Sequence, residues 1–295
     1  GAAALGNYVA EQIIAFGMQD GANEANEYAS QCYEPVNPNI QPEFPGNPTM
    51  VYPNHWQPIE LTVFIDQSGN ISTAIPEFVG PEWGEVTAFA LDSADLEILE
   101  RDSCTYRVWK NPGNPVYLDT TLVEGGLSDP WKWNFAMVSA WSSHLDPTDG
   151  VMWDISPGNL GTDGAFVTNP DDFSDYYDFF DGGGLTDGHA TNPITGAPYE
   201  PNWVPRGDYT RCLAEFWADG PDSETPPGHW FTLLNEVMGD DAFEYRWRGQ
   251  GPLIDQLEFT VKAYLALAGA MHDSAVATWS IKGYHDYARP VSAIR

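Results

Sequence analysis

The sequence predicts a mainly α protein with irregular, proline-rich N-terminal decoration and little strand. Three observations lead there. Apolar residues recur at helical spacing near the N-terminus, a strong apolar helix pattern covers 131–145 (WKWNFAMVSAWSSHL), and the last part of the chain is the most regular, with long helix-like runs.

Residues 5–31 place Leu5, Val9, Ile13, Ile14 and Phe16 at helical spacing and lead into Asp20-Gly21, which predicts a short helix followed by an acidic segment. Regularity then stops. From Cys32 to Pro58 the stretch CYEPVNPNIQPEFPGNPTMVYPNHWQP carries prolines that remove backbone donors and push the preceding residues toward extended conformations. Its Tyr, Phe and Trp residues are too apolar for a free linker, so it is expected as a belt ordered by packing. Residues 59–76 (IELTVFIDQSGNISTAIP) set β-branched residues around a Ser-Gly-Asn turn and predict a small peripheral hairpin. Between 83 and 145 the pattern is mixed, with a short helix expected at 93–100 before the stronger one at 131–145.

The segment 146–209 is rich in Asp, Gly, Asn and Pro, and long loops of this kind inside a domain are usually functional or ion-stabilised. Asp171, Asp175 and Asp178 are candidate calcium ligands, but no EF-hand spacing is present, and a solvated acidic loop explains them as well. Helices are expected at 213–220 (LAEFWADG), 229–239 (HWFTLLNEVMG) and 253–289, the last broken by Pro290. Within it, 253–281 is apolar on nearly every face, as in a helix inside a bundle. The organisation expected is an N-terminal part (1–125) of helix, belt and hairpin packed on a helical core (126–295) that includes the loop region 146–209.

The chain of 295 residues has 12 Lys+Arg against 43 Asp+Glu, a net charge of −31, and no Lys or Arg before Arg101. Such a surface repels phosphate backbones and disfavours nucleic acid and anionic membranes as partners. No apolar run is long enough to span a bilayer. Cys32, Cys104 and Cys212 are far apart with no CxxC pair, which fits three small buried residues and leaves one disulfide plus a free thiol open.

Chemistry concentrates in Trp279-Ser-Ile-Lys282-Gly-Tyr-His-Asp-Tyr-Ala-Arg289-Pro290. In a continuous helix Lys282 and Arg289 project from one face, with Trp279 one turn before the lysine. Two scarce cations beside an apolar helix suit an oxyanion between them, Arg as a planar fork and Lys as a compact charge. Pairing with Asp286 or Asp273 explains the spacing equally well.

Lys-x6-Arg-Pro resembles the first motif of the superfamily of vanadium-dependent haloperoxidases and type 2 phosphatidic-acid-phosphatase-like enzymes, and the continuation Arg-Pro-Val-Ser-Ala-Ile-Arg is similar to its bacterial haloperoxidase-like branch. The phrases DPTDGVMWDISPGNLG, NPITGAPYEPNWVPRGDYTR and LAEFWADGPDSETPPGHW resemble the same branch, as do the early Asp20-Gly21, EPVNP and HWQP, so the similarity runs from about residue 10 to 295. The resemblance implies a helical bundle of the vanadium haloperoxidase type. It implies Lys282 and Arg289 as ligands to the oxygens of vanadate, or phosphate in its place, with Trp279 on the halide side. With vanadate the reaction is oxidation of halide by hydrogen peroxide; with phosphomonoesters it is hydrolysis through a His nucleophile.

The sequence departs from the pattern in its later motifs. Pro-Ser-Gly-His and Ser-Arg with its following His and Asp do not occur. Pro226-Pro227-Gly228-His229 lacks the Ser and precedes the Lys motif, so His229 reads as structural. As written the chain carries half an active site, and the expectation is that a longer protein or a second chain supplies the His motifs. An isolated half-bundle exposes apolar surface, which predicts association with another chain or copy. The acidic surface and family habit point to an extracellular or periplasmic setting. A non-catalytic structural or assembly protein that keeps the fold is the competing class. His285, the pair His272-Asp273, and the carboxylates Glu215, Asp219, Asp222 and Glu224 are weaker candidates, the last set as paired acids of the glycosidase kind.

Overall fold

The computed structural model describes residues 1–65, 69–73, 75–119, 129–159, 188–193, 195–208, 210 and 224–295. Among them α1 spans Ala2–Gly17, α2 Pro130–Ser143, α3 Pro226–Gly239, α4 Gln256–His285 and α5 Pro290–Ile294. Six short strands pair as three antiparallel two-stranded sheets: β1 Phe64–Ile65 with β2 Ile71–Ser72, β3 Leu96–Arg101 with β4 Cys104–Trp109, and β5 Met152–Asp154 with β6 Trp203–Pro205. The architecture is therefore mixed, and the expected mainly α bundle is corrected: helices share the described residues with these small sheets.

The clearest local correction falls at 93–100. Ser93–Asp95 form only a 3-10 turn, capped by the Asp92 carboxylate accepting from Ala94 N–H, and Leu96–Arg101 then run as a strand. Leu, Glu and Arg favour helices, but the partner strand CTYRVW alternates aromatic and β-branched residues and buries Tyr106 and Val108. Asp102 and Ser103 both adopt left-handed conformations (φ 52° and 69°), the geometry that closes a two-residue hairpin with the twist of its strands. Tertiary pairing overrides local propensity here. The hairpin expected at 59–76 does form, as β1 and β2.

The chain divides into two compact units. The first comprises 1–41, 55–114 and 221–287. In it α4 lies along the β3–β4 hairpin, and the 3-10 turn Trp83–Glu85 is wedged between them. Two glycines permit that wedge. A Cβ on Gly84 would stand 1.7 Å from the Arg107 carbonyl oxygen, and one on Gly283 would stand 1.8 Å from that of Pro81. The Trp109 backbone N–H donates to Ser280 Oγ (3.0 Å) and its indole N–H to the Gly84 carbonyl (3.0 Å), so the buried polar groups of the wedge are paired. Val86, Trp109 and Val276 form one buried apolar cluster; Cys104, Tyr106 and Val108 form another. Cys32 and Cys104 are joined by a disulfide, which ties the start of the belt to β4. Cys212 lies outside the described residues.

The belt is ordered by its own side chains. Asn37 Nδ2 donates to the His55 and Trp56 carbonyls (3.1 and 3.2 Å), Gln57 Nε2 donates to the Pro38 carbonyl (2.9 Å), and Ile40 bridges in parallel to Ile59. EPVNP and HWQP are thus two sides of one arrangement. The same unit leaves apolar side chains in solvent: Leu257, Val261 and Leu265 follow one another at four-residue spacing on α4 and are 71%, 60% and 60% exposed, and α1 buries none of its residues.

The second unit comprises 42–54, 115–220 and 288–295. Helix α2 starts at Asp129, whose carboxylate accepts from Trp131 and Lys132 N–H, with Pro130 at the first helical position. Two phrases that carried the resemblance meet in this unit: β5 from DPTDGVMWDISPGNLG pairs with β6 from NPITGAPYEPNWVPRGDYTR. The Asp149 carboxylate accepts from Arg206 Nη2 (2.6 Å), and that of Asp154 accepts from Asn202 and Ser156 N–H.

Candidate functional site

The last turns of α4 gather the residues with the most chemical potential in the first unit. The helix ends at His285 because Asp286 turns left-handed (φ 48°), donating its backbone N–H to the Lys282 carbonyl. Chain then leaves in extended form, and Arg289 is the N-cap of α5 in the second unit, with Pro290 at its first helical position. The expectation of one helix over 253–289 is corrected accordingly, and with it the common helical face for Lys282 and Arg289. Pro290 starts a helix here instead of breaking one, because its fixed φ is already helical and its missing N–H is unneeded at that position.

Trp279 and Lys282 keep the relationship read from their spacing. The Lys282 ammonium lies over the indole, 4.4 Å from the ring centroid, a cation–π contact. Burial among neighbouring atoms lowers the lysine's pKa, although its side chain reaches solvent. The indole packs edge-on against Trp83 (centroids 6.2 Å).

Among the described residues Lys282 has no carboxylate partner, and the two acids suggested for it are committed elsewhere. Asp273 accepts from Phe89 and Ala90 N–H (2.6 and 2.7 Å), holding the chain against the middle of α4. Asp286, 1% exposed, accepts from the Tyr33 hydroxyl (2.6 Å) on one oxygen and from His55 Nδ1 (2.9 Å) on the other. Burial raises its pKa, against the two hydrogen bonds and the nearby Arg101. Burial and Asp286 together push the Tyr33 phenol far up, so it stays a donor. Arg101 completes the cluster, stacking on Tyr33 and Tyr106 and donating to the carbonyls of Gly283 and Tyr284 at the helix end. A cation on the last carbonyls of a helix also complements its dipole.

Sequence reasoning named Asp286 only as a possible partner of the two cations and left Tyr33, His55 and Arg101 out of the site. The sequence signal was that HWQP, which contains His55, stands in the same resemblance as the lysine motif; neither it nor EPVNP contains Tyr33 or Arg101.

The remaining candidates separate. His285 is buried, its Nε2 3.3 Å from Asn111 Oδ1, with its pKa lowered by burial and by Arg101. His272 Nε2 donates to the Thr87 carbonyl (2.8 Å). His229 lies in the first turn of α3, whose N-cap is Thr225, and its Nδ1 pairs with Glu224 (2.8 Å). The calcium candidates Asp171, Asp175 and Asp178, the carboxylates Glu215, Asp219 and Asp222, and the expected helix at 213–220 lie outside the described residues. Among the described residues no cluster of three or more His, Cys, Asp or Glu is placed to hold a metal, and no helix is long and apolar enough to cross a membrane. No protein-family model, curated protein or solved structure matches this chain.

Proposed function

We propose that this chain is part of a vanadium-dependent haloperoxidase-like enzyme and contributes cationic residues to an oxyanion site. One observation carries the proposal: in a protein of net charge −31, Lys282 lies on an aromatic face with no carboxylate partner among the described residues, while Asp273 and Asp286 are held by other donors. A cation kept from internal anions in this way is available to an external one, and the indole beneath it fixes its position. For Arg289 the support is the motif itself, Lys-x6-Arg-Pro.

Vanadate, when bound, supplies the centre at which peroxide is activated for two-electron oxidation of halide. The chain's own residues bind and orient. Lys282 offsets oxyanion charge, and its partial desolvation, which lowers the lysine's pKa, strengthens its attraction to an anion. Trp279 covers one side of the lysine and excludes water from it. The family chemistry also needs His motifs, which these 295 residues do not contain. The Cys32–Cys104 disulfide supports a setting outside the cytoplasm, where such bonds persist.

The test is vanadate titration followed by 51V NMR, together with halogenation of a phenolic reporter and p-nitrophenyl phosphate hydrolysis, on intact material whose mass and associated chains have been determined. Bound vanadate and peroxide-dependent halogenation, both lost in Lys282→Gln, are expected. Phosphate ester hydrolysis without halogenation would assign the sister chemistry. Absence of oxyanion binding in material that carries the His motifs would overturn the proposal and favour a structural protein.

A further inference from the structure

We infer that a cavity in the first unit, between the loop 21–31 and the segment 76–83, is a binding site for a small organic cation of the quaternary or alkyl ammonium type. Its volume, about 360 Å³, suits a small molecule. Three aromatic side chains line it, Tyr28, Phe78 and Trp83, and so do the carboxylates Glu77 and Glu82. None of its lining residues is Lys or Arg, which follows from the absence of either before Arg101. An anion entering it would meet carboxylates and the negative faces of rings with no cationic side chain to pair with. A cation meets both as attractive partners, since ring faces and carboxylates each present negative potential.

The walls are set before any ligand arrives. Tyr28 and Trp83 stand nearly parallel, 29° between planes and 6.5 Å between centroids. Glu27 and Tyr28 both occupy the left-handed region (φ 57° and 59°), which is costly for residues with a Cβ. Side chains hold that loop: Asn23 Nδ2 donates to the Ala29 carbonyl (2.8 Å) and Asn26 Nδ2 to Asn23 Oδ1 (2.7 Å). Across the cavity Glu82 accepts from Ser30 Oγ and from the backbone N–H groups of Gln31, Cys32 and Tyr33, all within 2.7–2.9 Å. These donors keep it ionised, and Asp20 and Glu24 add negative potential at Tyr28. Gly80 (φ +58°) leaves the space that Trp83 fills, since a Cβ there would lie 2.2 Å from its ring. Lys282 is not among the lining residues, although the wall residue Trp83 packs edge-on against the Trp279 on which the lysine stacks.

The test is isothermal titration of the whole chain with choline and with its neutral tert-butyl isostere, repeated on Tyr28→Leu and Glu77→Gln. Tyr28 and Glu77 are exposed, so both variants are expected to fold, which near-ultraviolet circular dichroism checks. Choline should bind saturably with one site. The isostere should bind about 10-fold more weakly, Tyr28→Leu should weaken choline about 10-fold, and Glu77→Gln about 3-fold with a reduced salt dependence. No saturable choline binding, equal affinity for the isostere, or unchanged affinity in both folded variants would overturn the inference.

Discussion

Tyr33 donates its hydroxyl to Asp286 at 2.6 Å across 253 positions of sequence, and His55 holds the other oxygen of the same buried carboxylate. The belt therefore grips the turn at which α4 ends, and the conformation of that turn depends on residues near the opposite end of the chain.

Removing the grip should cost stability in graded steps. Tyr33→Phe deletes one donor to a buried charge and should lower the unfolding free energy by about 1–3 kcal/mol. Asp286→Ala leaves Tyr33 and His55 facing an empty site and should cost about 3–5 kcal/mol, while Asp286→Asn keeps an acceptor and tolerance of the left-handed conformation and should cost less. Urea denaturation ranks the three; equal losses for the Ala and Asn variants would show that the hydrogen bonds contribute nothing.

Two carboxylates should give stability–pH dependences of opposite sign. Burial would raise the Glu82 pKa, but the hydrogen bonds from Gln31, Tyr33, Cys32 and Ser30 outweigh it and hold the group below its ordinary value. Its contribution is present above the ordinary glutamate range, about pH 4, and is lost as pH falls further. Asp286 is raised by burial, so folding favours its protonated form, and its contribution is lost as pH rises through the folded value. Thermal melts from pH 3 to 7 should therefore show a shallower acid loss in Glu82→Gln and a weaker decline on the rising-pH side in Asp286→Asn, each relative to the parent.

Reduction of Cys32–Cys104 should be costly. The bond spans 72 residues, and restoring that loop's freedom to the unfolded chain corresponds to about 4 kcal/mol in the chain-entropy account. Cys104→Ser should lower the melting temperature by several degrees or more in non-reducing buffer, and a reductant should have little further effect on it. Retention of the parent's melting temperature would show that packing alone holds the belt to β4.

Gly84→Ala and Gly283→Ala should each be severe, because the added methyl meets backbone oxygen instead of a movable side chain. A loss of at least about 2 kcal/mol, or failure to accumulate as folded protein, is expected. Gly113→Ala is the informative control: nothing lies within 4 Å of its added carbon, so its cost is limited to the left-handed conformation (φ +94°).

Legibility of the sequence followed the range of the interactions. Lys282 above Trp279 was readable because three-residue spacing on a helix is local, and the helices at α2 and α3 were readable from their own periodicity. The β3–β4 hairpin was not, since LEILER favours a helix in isolation and becomes a strand only beside CTYRVW. The end of α4 was misplaced because Asp286 has no glycine to announce its left-handed turn, and its partners Tyr33 and His55 are remote in sequence. The mixed architecture was hard to read for the same reason: each sheet is a pair of short strands with little periodicity of its own, and β5 and β6 are remote in sequence.

The belt's hold on Asp286 also orders events during synthesis. Tyr33 and His55 leave the ribosome more than two hundred residues before their acceptor. Until then the belt's aromatic residues have no partner at that turn, and contacts of such long sequence separation are the slow ones to form. The stretch before Arg101, anionic and without a single Lys or Arg, carries a self-repulsion that opposes its collapse before α4 is available.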